Sequence, residues 1–420
     1  MKMKNMLCMV VLMMMFTQVN AYGKRTRSSP AGRAKRSVAP VPFGDPVDIA
    51  GGSVKGVSSL DARDIDGDGL IDVAVIEGGK HATGKTFAWF KAPKNTRGTW
   101  RRYEFNASAP LKSFLGSAKL VDVDNDKDAD LVVSTDNHSG GRKDADVLVF
   151  VNPLPDGDVY GAWTYAFVAK GLPYHHINDM DVADMDNDGK TDIIVRSLEP
   201  NQIHIFFQDD LSSWTKKSIP TGLDRSEGLG VGKLNSDAFP DITFTGFLLR
   251  APSRPRSEDY VRISIDPGYC KVNQNTKEAI GDIDGDGLLD VVISPAEAYR
   301  NGKAHDLAWY RNPGGDLAGT WVKTVVQAST NNIHTVKLAL MNDDDTLDIV
   351  AGVAWGKMSV TIYFNAADGS FPSRQTVTSE KGLYSGVVVD IGSDGDMDIV
   401  GQETYARNSR PYLYESLLND

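Results

Sequence analysis

The chain is almost without cysteine: Cys8 and Cys270 are the only two in 420 residues. Cys8 falls in an apolar, leader-like stretch, so the body of the chain has a single thiol and forms no internal disulfide. Stability must come from packing and bound ions, and Cys270 reads as a small buried apolar residue. Long apolar runs are missing too. The stretch at residues 6–16 has eleven residues, against roughly 20 for a membrane-spanning helix, so no membrane span is expected in the mature chain. Nor is there an excess of basic charge: 45 Lys and Arg face 56 Asp and Glu, a formal net charge of −11. Residues 1–36 hold eight of the basic residues and no acid, which leaves the remainder with 37 basic residues against 56 acidic ones. So acidic a surface excludes nucleic acid as a partner, because phosphate binding needs a basic patch. A nucleophile elbow, an HExxH pair, a phosphate loop and a dinucleotide fingerprint are also absent.

Lys2 and Lys4, the apolar residues 6–16 and Val19-Asn20-Ala21 follow the order of an export signal. Residues 1–21 are therefore expected to be a signal peptide and the protein to be secreted. Residues 22–40 are polar and basic with interspersed Pro, Ser and Gly, the composition of a disordered linker. Within them Arg33-Ala34-Lys35-Arg36 is either a processing site or a chance cluster. Residues 41–420 remain for one folded domain, and 40 glycines suit a fold made of tight turns.

That domain carries one pattern seven times: D-x-D-x-D-G-x-x-D followed by β-branched residues. Three complete copies place Asp64, Asp66, Asp68, Leu70 and Asp72, then Asp184, Asp186, Asp188, Lys190 and Asp192, then Asp282, Asp284, Asp286, Leu288 and Asp290 at positions one, three, five, seven and nine. A fourth has Asp122, Asp124, Asp126, Asp128 and Asp130, with Lys127 in place of the glycine. Three are worn. The copy at 233–241 keeps Asn235, Asp237 and Asp241, that at 340–348 keeps Asn342, Asp344 and Asp348, and that at 390–398 keeps Asp390, Asp394 and Asp398. Copies start 49 to 62 residues apart, the spacing of a strand-built propeller or solenoid. Carboxylates this crowded repel one another unless a hard cation neutralises them. Side chains at positions one, three and five, the backbone carbonyl at seven and the carboxylate at nine can surround one Ca²⁺. The glycine at six permits the sharp turn. An EF-hand is excluded, because position twelve is Val75, Val195 or Ile293 rather than Glu and the flanks are strands. The alternative is a set of Asp/Gly hairpin turns that bind nothing, above all at the copies starting at 233 and 340.

Motif, spacing and copy number together resemble the FG-GAP/VCBS repeat family, the calcium-loop repeats of integrin α-subunit heads and related secreted lectins, across about residues 43–415. The resemblance implies an all-β, seven-bladed β-propeller of four-stranded blades, with a calcium-binding loop between the first and second strands of each. Trp100, Trp163, Trp214 and Trp321 then open fourth strands and read as core between blades. The last blade has three strands near the end of the chain, so its fourth is expected from about residues 43–50. Residues 249–258 read as an exposed loop.

In such propellers ligands usually bind the face opposite the calcium loops. The positions that the resemblance places there are led by His175 and His176, then His334 and Arg300, with Tyr299, His138 and Trp355. Arg196, Glu227, Arg250, Lys277, Glu278 and Tyr384 are assigned to the same face. Such side chains around one concave surface suit a polar ligand. The expected protein is a secreted calcium-binding module for an extracellular glycan or glycoprotein. Two alternatives stand beside it. One is a lyase on an acidic polysaccharide, with His or Tyr as base and Arg neutralising the carboxylate. The other is a protein-adhesion module. No spacing motif marks a catalytic residue.

Overall fold

A computed structural model describes residues 40–54, 56–77, 86–112, 114–137, 143–298, 302–342, 344–404 and 409–419. The expected signal peptide, all but the last residue of the linker, and the candidates His138, Tyr299 and Arg300 lie outside the described residues.

The strands form seven four-stranded antiparallel sheets arranged as a seven-bladed propeller. Blade 1 runs through Val57–Arg63, Asp72–Glu77, Thr86–Lys91 and Arg101–Glu104, each strand pairing with the next. The inner strands of blades 2 to 6 are Phe114–Val121, His175–Ala183, Gly230–Gly232, Gln274–Gly281 and Ile333–Ala339. Blade 7 comprises Ser385–Val389, Asp398–Gln402 and Pro411–Tyr414, completed on its outer side by Val47–Asp48. The register is Val47 opposite Leu413 and Asp48 opposite Tyr412, with a further bridge from Phe43 to Ser416. The fourth strand of the last blade thus comes from the expected segment, and the ring closes without a free edge there. The one helix among the described residues is the turn Gly268–Lys271, and no helix among them is long and apolar enough to cross a membrane.

Second strands are buried on both faces, as Asp72–Glu77 is at every position, which is why they read as continuous β-branched runs. Trp100, Trp163 and Trp321 are buried just before fourth strands, and each indole N–H donates to the carbonyl four residues back: Thr96 at 2.9 Å, Val159 at 2.9 Å and Leu317 at 3.0 Å. These three indoles are core, as expected, whereas Trp214 lies inside its strand Ser213–Pro220 and is half-buried. Residues 249–258 differ from expectation at their start, because Leu249 and Arg250 belong to the third strand Phe247–Arg250 of blade 4.

The ninth loop residue has the same role in every copy, worn or complete. Asp72, Asp130, Asp192, Asp241, Asp290, Asp348 and Asp398 are all buried. In each, Oδ1 accepts a backbone N–H at the end of the third strand, from Ala92, Asn152, Gln208, Ala251, Asn312, Asn365 or Ser416 at 2.7–2.8 Å. In six, Oδ2 accepts the N–H of the second loop residue. The carboxylate therefore pins the loop to the rim of its blade. Four of the third-strand ends reach further. Side-chain amides of Asn152, Gln208, Asn312 and Asn365 donate to carbonyls of the preceding blade, at Ile65, Val123, Leu234 and Ile283.

If the ninth aspartate is a backbone staple first, its loss must destabilise even a worn loop. Asp241→Ala is expected to cost about 1.5–3 kcal/mol, the scale of strong hydrogen bonds to a buried carboxyl. Asp237→Ala in the same loop, an exposed position, should stay within about 0.5 kcal/mol. Urea denaturation of the two variants checks this, and equal stabilities would refute the staple.

Candidate functional site

The inner strands of all seven blades surround an axial cavity of about 530 Å³. In blades 1, 2, 3, 5 and 6 the inner strand slips register near its start, away from the Asp loops. A bulge of this kind re-aims side chains. In blade 3 it lies between Ile177 and Asp179, beside His176 at φ +63°, and it leaves Asn178 and Asp179 both lining the cavity.

At this end of the axis three blades contribute to one polar cluster. Lys277 of blade 5 pairs with Asp179 of blade 3 and lies 3.6 Å from Glu227 at the entry to blade 4. His176 Nε2 lies 2.5 Å from the Asn178 amide nitrogen and 3.5 Å from Glu227 Oε1. Burial opposes ionisation of Glu227, but the His176 hydrogen bond and the Lys277 charge outweigh it and hold the carboxyl well below its usual range. Burial likewise opposes the charge on Lys277, and Asp179 and Glu227 overcome it, keeping the ammonium protonated. Arg196 sits behind the cluster, 2 % exposed, and its guanidinium donates to Gly228 O at 2.6 Å and Ser226 Oγ at 2.6 Å. It thereby fixes the segment that carries Glu227. Gly228 has φ +124°, and a Cβ there would lie 2.1 Å from Thr276 Oγ1, so only glycine fits. Its N–H donates to Asp179 Oδ2 at 2.8 Å.

Blades 6 and 7 supply an aromatic wall. His334, 5 % exposed, stacks on Tyr384 at 4.0 Å, and Trp355 meets its edge at 5.2 Å. His334 Nδ1 lies 2.7 Å from the Tyr384 carbonyl. A carbonyl only accepts, so Nδ1 carries the proton and Nε2 presents a lone pair. That Nε2 is buried and has no hydrogen-bond partner. Burial, then the nearby Lys277 charge, pushes the imidazole down to about 4, so it is neutral at ordinary pH. Deeper along the axis Lys119 pairs with Asp181 at 3.5 Å, and Asp61 and Lys337 line the same level.

The structure therefore brings His176, His334 and Trp355 together, with Glu227, Lys277 and Tyr384. His175 stacks beside His176 at 5.8 Å, and both face the buried Asp136 carboxyl. Arg196 is a buried support rather than a rim residue, whereas Glu278 is half-buried and lines the cavity. Glu278 is pushed up to about 7 by burial and accepts from Thr276 Oγ1 at 2.7 Å. Arg250 is at the wrong end: its strand runs back toward the Asp loops, and its charge acts on Asp241. Sequence reasoning missed Asn178 and Asp179, because nothing in the alternation of the blade-3 inner strand announces the bulge.

On the opposite rim the loops starting at Asp64, Asp122, Asp184 and Asp282 each bring the first, third and ninth carboxylates within 4.8 Å of one another, a spacing that could hold a metal ion. In the first three, one oxygen of the third-position residue, Asp66, Asp124 or Asp186, is buried without a hydrogen-bond partner. In the Asp122 loop the side chains of Asp124, Asp126 and Asp128 also converge. No such trio forms at Asp390, Asp394 and Asp398 among the described residues.

The sequence matches no protein-family model and no curated protein. Among solved structures, the chain is similar to the Vibrio cholerae biofilm matrix protein Bap1 (9 % identity, 90 % of this chain and 91 % of that one, TM-score 0.47). It is also similar to the α-L-arabinofuranosidase Arb93A of Fusarium graminearum (11 %, 91 % and 99 %, 0.48). The NanB sialidase of Streptococcus pneumoniae is a third such structure (10 %, 93 % and 72 %, 0.46). Identities this low carry no functional information.

His334 sets a pH dependence with a definite sign. Its folded pKa lies below the ordinary histidine value of about 6.5, so the buried neutral ring contributes fully to stability above that pH. The contribution is lost as pH falls through about 4. An NMR titration should place the His334 midpoint near 4; a midpoint near 6.5 would refute the buried neutral ring.

Proposed function

We propose that the protein is a secreted propeller of the FG-GAP/VCBS kind that binds an extracellular glycan at the axial cavity, on the rim opposite its Asp loops. The observation that carries this reading is the buried, unfilled acceptor at His334 Nε2, set between an aromatic wall and a charged cluster over the cavity. A buried acceptor without a partner is costly, and a ligand hydroxyl satisfies it. Tyr384 and Trp355 offer apolar faces to a sugar ring, while Glu227, Asp179 and Lys277 offer hydrogen bonds to its hydroxyls. His175 stands behind His176. In the same reading the four complete or nearly complete loops hold Ca²⁺ through their aspartates. The orphaned oxygens of Asp66, Asp124 and Asp186 fit a cation. When bound, calcium supplies the positive charge that the crowded carboxylates lack.

One observation favours a second reading. A neutral imidazole with its lone pair toward the cavity and an ammonium nearby is the pair needed to remove a proton next to a carboxylate. His334 would then be the base and Lys277 the group that stabilises the developing charge, in eliminative cleavage of an acidic glycan.

A glycan array read with wild type, Glu227→Gln and His334→Ala tests both. Binding should fall at least tenfold, about 1.4 kcal/mol, in both variants, with circular dichroism unchanged. Wild-type protein that binds no glycan, or variants that bind as well as wild type, would sink the binding reading. Release of unsaturated product by wild type and not by His334→Ala would replace it with the lyase.

A further inference from the structure

Three of the four Asp loops contain a basic side chain placed in the same way. In blade 1, Lys91 Nζ contacts Asp66 and lies 2.6 Å from Asp68. In blade 5, Arg311 Nε lies 2.8 Å from Asp284 and Nη2 lies 3.0 Å from Asp286. Both are the last residue of their blade's third strand, Thr86–Lys91 and His305–Arg311. In blade 3 the third strand ends on Asp209 and Asp210 instead, and the cation comes from the neighbouring blade. Arg256 contacts Asp186, lies 3.3 Å from Asp188, and is held by Asp209 at 2.5 Å. Each time the partners are the third and fifth loop positions, the side chains that would meet a bound ion.

The burial of these carboxylates makes the pairing more than surface decoration. The Asp66 side chain is 1 % exposed, yet only its Oδ2 is engaged, by Lys91 and by the Tyr160 hydroxyl at 2.7 Å; Oδ1 has no partner. Asp186 and Asp284 are 10 % and 11 % exposed, with Asp186 Oδ1 also unpartnered. The Asp122 loop is the contrast. Blade 2 ends its third strand Ala145–Val151 without a basic residue, and no Lys or Arg among the described residues lies within ion-pair distance of Asp122, Asp124, Asp126 or Asp128. Both oxygens of Asp128 are buried there without a hydrogen-bond partner.

We propose that Lys91, Arg256 and Arg311 are internal counter-ions that neutralise the third- and fifth-position carboxylates when calcium is absent and compete with it when it arrives. The inference rests on the calcium reading of these loops and goes beyond it, because it divides them into two kinds. Three loops hold themselves together without metal and bind it against a resident positive charge. The Asp122 loop has no such substitute and depends on metal outright. Arg256 adds a link between blades, since it crosses from blade 4 to blade 3.

The test uses Arg311→Met, which removes the charge from a half-exposed side chain and keeps most of its unbranched apolar stem. Calcium titration calorimetry should show one blade-5 site gaining about tenfold in affinity, the scale of removing a like charge near the ion. The melting temperature in chelator should fall below that of wild type, and with calcium the two should match. Asp124→Ala should shrink the calcium-dependent rise in melting temperature, leaving the part that the other three loops contribute. Unchanged or weaker calcium binding by Arg311→Met would overturn the competition. An unchanged melt in chelator would overturn the counter-ion. If no variant or wild type takes up calcium, the calcium reading itself fails, and the melts in chelator still decide whether Arg311 neutralises its loop.

Discussion

Everything in this propeller hangs on the buried aspartate at the ninth loop position. It joins three points that would otherwise drift apart: the start of the loop, the second strand that the aspartate itself begins, and the far end of the third strand. Because its Oδ1 always serves a backbone N–H at the end of the third strand, it keeps this role where the first and third carboxylates have been lost, as at Asp241 and Asp348. Its burial also lifts the carboxyls, to about 7 at Asp72 and about 8 at Asp348. Ionising them inside the loop is costly, and neighbouring negative charge at Asp66 or Asp344 adds to the cost. The first and third positions are then free to specialise. The motif reads as a metal loop because of those positions, but it survives as a repeat because of the ninth.

The opposite rim is organised by a different constraint. Inner strands converge on the axis, so residues far apart in sequence meet only at their ends. Asp179 and Lys277 are 98 residues apart and form one ion pair. The bulges decide which side chains turn inward, and Arg196 and Gly228 fix the segment that carries Glu227. The result is a charged half and an aromatic half facing one cavity, each from different blades, so the pocket exists only when the ring is assembled.

The fold was legible because its signal is periodic: the Asp pattern recurs at blade spacing, and in four blades an indole follows the third strand. The last blade's missing strand could also be read, since the pattern of three strands near the end of the chain left one to find. The site was legible only in part. His176, His334 and Trp355 fall at positions that the repeat places opposite the Asp loops, and the structure clusters them there. Asn178 and Asp179 were missed because an irregular register has no sequence signature. Arg250 was placed on the wrong rim because the short third strand of blade 4 hides where the chain turns. The proposed counter-ions have a readable signal in part: Phe87-Ala-Trp-Phe-Lys91 and Leu307-Ala-Trp-Tyr-Arg311 end alike, with a basic residue where the strand meets the loop. Arg256 had no such signal, since its partners belong to another blade.

The clasp between Val47–Asp48 and Pro411–Tyr414 has a consequence in time. The two partners are separated by more than 360 residues, so the strand made first must wait for the strand made last. Blades can form one after another as the chain emerges, but the ring stays open until Pro411–Tyr414 has been made and paired. Contacts of such separation are slow to form, and an unpaired strand edge is a place where another chain can attach. The step that sets the pace of maturation is therefore expected to be this last pairing.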